Sequence, residues 1–381
     1  MFEFKKISKT ELEPVIRNAS QKIGVNEVIL EKDYWVCFVL NYLFSKCKWK
    51  NAFTFKGGTS LSKCFNLIQR FSEDIDLILD WTVIGYNFDE PWENRSNTKQ
   101  DKFNKESNQK TEEFLKSEFL PQIEKDFRNM LNDEFRISID NKDPQTLLFE
   151  YPKIFNSSYL IQALRLEIGT LAAWTPSEVI NIVPEVQKIY PQLFKGNFIA
   201  VRAVLPERTF WEKATILHHE ANRPKELPMP KRYARHYYDL FCIANTKYKD
   251  KAFQNLELLE KVVQFKQKFY PRKWAKYEEA LSKTIRLIPD NYRFKEIKED
   301  YKNMSEMFFG DYPKFDEVMN KIIKLEEEIH KYLDIIPTIR GINGTELVDL
   351  VLKYYDELSD KYKKMIPLKI VYIPVAKEDV E

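Results

Sequence analysis

Two adjacent glycines place the tightest constraint on this chain. Gly57 and Gly58, followed by Thr59 and Ser60, lie between the β-prone run Phe53-Thr54-Phe55 and a helix-compatible stretch from Leu61 to Ile68. The whole chain of 381 residues holds only nine glycines. Two side by side mark a bend that a Cβ would obstruct, and such a bend lets a phosphate approach the backbone. Asp74 and Asp76 follow, alternating with Ile75, Leu77, Ile78 and Leu79. The alternation predicts a strand, in which residues two apart share a face, so both carboxylates point the same way. Like charges this close repel unless they share a cation. A hard divalent ion with oxygen ligands and substrate phosphates, Mg²⁺ or Mn²⁺, suits the pair. An isolated Asp-x-Asp also fits a solvated strand edge, but strand, Gly-Gly-Thr-Ser, helix and second acidic strand together are a rarer succession.

The length suggests about two domains, and 44% hydrophobic content with 14% aromatic is enough for substantial cores. Charged residues make up 31% yet nearly cancel, to +2, so attraction to nucleic acid has to come from a local patch. Cysteines 37, 47, 64 and 242 show neither CxxC spacing nor a disulfide framework. No apolar signal core opens the chain, and the apolar run 34–45 is too short to span a bilayer. These features predict a reduced, cytoplasmic, unexported protein with no membrane partner.

Helices are expected over 9–22 and 26–46, then the two strands around the glycines, then a long polar loop over 89–109 and a helix over 112–131. Strand character returns at 135–139, 147–149, 161–168 and 198–204. Arg165 and Glu167 share one strand face, which makes Glu167 a candidate third metal ligand or, more plainly, the partner of Arg165. From Pro206 onward the pattern is helical, giving an expected division into 1–205 and 206–381. Over 247–302 basic residues outnumber acidic ones 15 to 9, with Tyr248, Phe253, Phe265, Phe269, Tyr270, Trp274 and Tyr277 interspersed. That mixture suits an RNA-facing surface and, more plainly, ordinary solvated helices with aromatic cores. A single amphipathic helix is expected over 347–366.

A second constellation lies past Pro206. Pro206-Glu207-Arg208-Thr209-Phe210-Trp211-Glu212-Lys213-Ala214 opens a helix, and Arg235-His236-Tyr237-Tyr238-Asp239-Leu240 lies on the next one, with Arg235 and Asp239 one turn apart. Beside a triphosphate, a lysine neutralises phosphoryl oxygens and a carboxylate orients a hydroxyl or helps hold metal. Lys213 and Asp239 suit these tasks, and they suit an inter-helix ion pair as well. His218-His219-Glu220 lacks the HExxH arrangement of a zinc hydrolase, so His218, His219 and His236 read as packing or substrate-contact residues.

Together these motifs, with Glu31-Lys32-Asp33-Tyr34 on an N-terminal helix, resemble the AbiEii/AbiGii family of nucleotidyltransferase toxins over about residues 25–245. The resemblance implies an α+β fold: a polymerase-β-like core with a small mixed sheet flanked by helices, and a mainly helical C-terminal lobe contributing Lys213 and Asp239 to the cleft. It implies Mg²⁺-dependent transfer of a nucleotide from an NTP to an acceptor, for several members the 3′ end of tRNA, by a toxin paired with an antitoxin or serving abortive infection. Carried over by position, Gly57, Gly58, Thr59 and Ser60 hold the triphosphate, with Ser72 beside it. Asp74 and Asp76 bind metal, Lys213 contacts phosphate and Asp239 completes the catalytic set. His236 departs from the acidic residue that many relatives carry there. A phosphotransferase attacking the γ-phosphate, and a non-catalytic RNA-binding module, remain as alternatives.

Overall fold

The computed structural model describes residues 9–70, 74–156, 162–194, 198–308 and 311–335. Seven strands, β1 (Phe53–Lys56), β2 (Asp74–Leu79), β3 (Arg136–Ile139), β4 (Thr146–Glu150), β5 (Leu164–Gly169), β6 (Ser177–Ile182) and β7 (Ile199–Val204), form one sheet in the order β3-β4-β5-β2-β1-β7-β6. The sheet is mixed: β2 with β5 and β1 with β7 are parallel, and the other neighbours are antiparallel. With its flanking helices this is an α+β architecture.

The helices that precede or interrupt the sheet are α1 (Lys9–Ile23), α2 (Glu27–Asn41), α3 (Gly57–Lys63), α4 (Asn97–Phe114), α5 (Leu120–Met130) and α6 (Glu185–Ile189). A wider helical turn, Tyr42–Lys46, continues α2, and another, Leu115–Phe119, joins α4 to α5. One sheet face is apolar because every second residue of its strands is. Phe53, Phe55, Ile75, Leu77, Phe149, Leu164, Leu166 and Ile168 are all buried in one cluster with α2 and α5. Phe127 sits at its centre, its ring 5.1 Å from Phe38 and 5.0 Å from Phe149. The opposite face carries Lys56, Asp74, Asp76, Arg165 and Glu167.

Six further helices follow: α7 (Pro206–Ala221), α8 (Ala234–Ala244), α9 (Lys247–Phe253), α10 (Leu256–Phe269), α11 (Phe294–Asn303) and α12 (Phe315–Ile335). Their apolar faces build a second buried cluster around Phe210, Trp211, Leu240, Val263 and Ile322. The two clusters exchange residues. Leu61 and Ile68 belong to the second, and Phe265 and Phe269 to the first.

Three local expectations are corrected. Much of the polar stretch 89–109 is helix α4, capped by the Ser96 hydroxyl and buried along Gln100, Phe103, Ser107, Thr111 and Phe114, a five-residue stripe sparse enough to be hidden by the polar residues between. The helix after the glycines starts at Gly57 rather than Leu61 and stops at Lys63, before Asn66 adopts a left-handed φ of 52°. Strand β6 was not anticipated, because as an edge strand it leaves Val179 exposed and shows no burial pattern. The helix expected over 347–366 lies outside the described residues.

Candidate active site

Gly57 is the hinge between β1 and α3. Lys56 before it is extended, and Gly57 itself takes φ +80°, a left-handed value that disfavours side chains. Space excludes them as well, since a Cβ here would lie 1.9 Å from Asp76 Oδ2. The backbone of the bend is therefore pressed against a carboxylate of the next strand. The Thr59 hydroxyl fixes this approach by donating to the Asp74 carbonyl at 2.5 Å. Gly58, Thr59 and Ser60 are buried in the first turn of α3.

Register places Lys56, Asp76 and Glu167 side by side across β1, β2 and β5, with Asp74 opposite Arg165 one step away. Burial pushes the Asp76 carboxyl up, opposed by Lys56 and reinforced by Asp74, with Lys213 and Arg235 adding positive charge from the helical half. Glu167 is pushed up to about 7, by burial first and then by Asp76 and Asp74. Mutual repulsion among oxygen ligands of this kind is what a hard divalent cation relieves, so the donor set fits one. As the side chains stand, no three of them among the described residues converge on a single point. Arg165 lies between them, 3.5 Å from Asp74 and 3.6 Å from Glu167, and 2.6 Å from Asp140 beyond. Asp76 and Glu167 open onto a cleft of about 200 Å³ lined also by Lys56, Asn108, Asp143 and Tyr270.

Lys213 and Asp239 meet. Asp239, fully buried on α8, accepts from Lys213 Nζ of α7 at 2.9 Å and from Arg70 through both oxygens, at 2.7 and 2.9 Å. Burial alone would raise its carboxyl, but Arg70 and Lys213 hold it well below the usual range. Burial lowers Lys213, outweighing its attraction to Asp239. Its ammonium also meets His236 Nδ1 at 2.9 Å. Burial and Lys213 keep that imidazole neutral, so Nδ1 accepts. Arg70 lies between α3 and β2 in sequence, so this buried network ties the acidic strand segment to the helical half.

Other predicted positions separate clearly. Ser72 lies outside the described residues. His218 is a packing residue, held between the Lys276 carbonyl and the Arg286 amide, each at 2.9 Å. His219 packs 4.4 Å from the Trp274 ring and is pushed down to about 4, by burial and then Lys266. Glu31 accepts from the Ile154 and Phe155 amides at 2.5 and 3.3 Å, and Asp33 pairs with Lys63 at 2.5 Å, so both brace the fold. The sequence reading assigned no role to Arg70 or Lys56, and gave Arg165 only the pairing with Glu167 that the structure shows at 3.6 Å. The signals for Arg70 and Lys56 were an arginine two residues past the apolar pair Leu67-Ile68 and a lysine after the run Phe53-Thr54-Phe55. No described helix is long and apolar enough to cross a membrane.

Comparison with known proteins adds to this geometry. The family model described as "Nucleotidyl transferase AbiEii toxin, Type IV TA system" matches residues 39–321, extending past the motifs into the helical half. Among solved structures, MenT4, a nucleotidyltransferase toxin from Mycobacterium tuberculosis, aligns with 14% identity over 87% of this chain and 100% of its own, at a TM-score of 0.35. No protein of curated function matches.

Proposed function

The chain belongs to the AbiEii family of nucleotidyltransferase toxins, and on that premise we propose that it transfers a nucleotide from an NTP to an acceptor hydroxyl such as the 3′ end of tRNA, under the control of a cognate antitoxin. The observation that carries this reading is the contact between the Gly57 backbone and the Asp76 carboxylate at the mouth of a cleft, with Lys56, Lys213 and Arg235 around it. Asp74, Asp76 and Glu167 are the residues that would hold Mg²⁺ or Mn²⁺. Such an ion, when bound, supplies positive charge to the attacking and leaving oxygens.

Within this reading Gly57, Gly58, Thr59 and Ser60 form the triphosphate seat. The side chains of Thr59 and Ser60 are buried, so the segment presents chiefly its main chain to the phosphates. Lys213 neutralises phosphate oxygens. Asp239 has both oxygens committed, so it acts as a positioning residue that aims Lys213. The acceptor oxygen attacks the α-phosphorus and the bond to the β-phosphate breaks, releasing pyrophosphate.

Asp74→Ala and Asp76→Ala are expected to abolish transfer of α-label from NTP to total tRNA while leaving the circular dichroism spectrum unchanged. Full activity in either folded variant refutes the assignment. A parallel assay with γ-label separates the phosphotransferase alternative, because nucleotidyl transfer leaves only the α-label on product.

A further inference from the structure

The carboxylate cleft does not end at the carboxylates. It shares Asn108, Leu171 and Tyr270 with a second cavity of about 350 Å³ between α4 and the end of α10. Of the ten aromatic residues in the basic stretch 247–302, Phe253, Phe265, Phe269, Tyr277 and Tyr301 are core. Tyr270 is the most exposed of them, at 51% against 42% for Tyr292, and unlike Tyr292 it lines the second cavity. Its hydroxyl donates to the Leu171 carbonyl at 2.6 Å, which holds the ring still at the seam between the two cavities. An exposed aromatic face anchored by its polar end is a stacking platform prepared in advance.

The second cavity is polar and positive. Lys268 donates to the Glu93 carbonyl at 2.7 Å, and among the described residues neither Lys268 nor Arg272 pairs with a carboxylate. Burial, and then Arg95 close by, push the Lys268 ammonium down, with the Glu93 charge opposing them. Gln100 is 6% exposed and its Oε1 finds no donor among the described residues, so it offers an acceptor to a hydroxyl or amino group. A single NTP does not need this second space, because its phosphates already have Gly57 and Lys213.

We propose that the groove between α4 and α10 is the track for the single-stranded end of the acceptor nucleic acid, with its terminal base stacked on Tyr270 and its phosphates beside Lys268 and Arg272. This rests on the nucleotidyl-transfer reading for its chemistry, but the binding claim is tested separately.

The probe is a fluorescein-labelled 12-nucleotide single-stranded RNA, titrated into the full-length protein without NTP and read by anisotropy at several salt concentrations. Tyr270→Ala is expected to weaken binding about 10- to 100-fold, and Tyr270→Phe, which keeps the ring, far less. Lys268→Ala with Arg272→Ala is expected to reduce the salt slope by roughly one to two, while calorimetric affinity for a non-hydrolysable NTP stays unchanged. Failure of the wild type to bind the RNA overturns the proposal, as does RNA affinity unchanged in Tyr270→Ala. If Tyr270→Ala loses NTP affinity and keeps RNA affinity, the ring serves the donor base and the proposal falls. Tyr270-dependent RNA binding without any label transfer by the wild type supports the groove and overturns the transfer reading instead.

Discussion

At the scale of single residues, Gly57 carries the most specific prediction. Alanine there meets Asp76 Oδ2 and must also adopt φ +80°, so Gly57→Ala is expected to cost roughly 1–3 kcal/mol in stability and to remove transfer by displacing the Asp76 carboxylate. Thermal denaturation beside an α-label assay checks both, and a variant of wild-type stability and activity contradicts the contact. The diglycine and both aspartates were legible in the sequence because glycine scarcity and two-residue alternation are local signals. The same alternation placed Glu167 and Arg165 on one face. What stayed hidden was partnership across the chain. Arg70 gains its meaning from Asp239, 169 residues later, and Arg165 from Asp140 and Asp74 on neighbouring segments. Side-chain identity alone carries no trace of such pairings.

At the scale of elements, α7 and α8 are joined by a buried charge network whose members are not equivalent. Replacing Asp239 by Asn leaves Arg70 and Lys213 buried without their counter-charge, and should cost about 3–5 kcal/mol. Lys213→Met leaves the two-pronged Arg70 contact intact and should cost less stability while eliminating transfer. Urea unfolding of the two variants, with activity measured on the folded fraction, distinguishes a positioning carboxylate from a lysine that touches substrate. Glu31 offers a second test at this scale, since it fastens α2 to the 154–155 segment. Its carboxyl is pushed up to about 7, by burial against its backbone hydrogen bonds. A carboxyl raised in the fold keeps a proton that the unfolded chain has lost. Wild type therefore loses stability relative to Glu31→Gln as pH rises from about 4.5 to about 7, and the difference stays constant above that. Melting temperatures of both proteins across this range check the sign. The strands flanking the glycines and helices α7 and α8 were readable because apolar residues recur in them at strand or helix spacing, as Phe53 and Phe55 or Phe210, Ala214 and Leu217 do. Helix α4 and strand β6 were not, since one buries a narrow stripe within a polar segment and the other lies at a sheet edge.

At the scale of the whole molecule, the two apolar clusters interlock through Leu61 and Ile68 on one side and Phe265 and Phe269 on the other. We therefore expect the division at residue 205 to be one of composition rather than of independent folding. A fragment ending there uncovers apolar surface on α3 and removes the aromatic cover from α4. It is expected to aggregate or to lack dispersed amide resonances, whereas the intact chain should unfold with coincident near- and far-ultraviolet transitions. A monodisperse, folded 1–205 fragment would contradict this.

The long sequence span between Arg70 and Asp239 also bears on when the protein acquires its chemistry. A chain still on the ribosome displays its acidic strands well before the lysine and the carboxylate that steadies it have emerged. On the proposed roles of Lys213 and Asp239, partial products of translation, including those cut short by a stalled or broken message, are expected to be inert, and a cell making this toxin to meet its activity only after the two distant stretches have closed on each other.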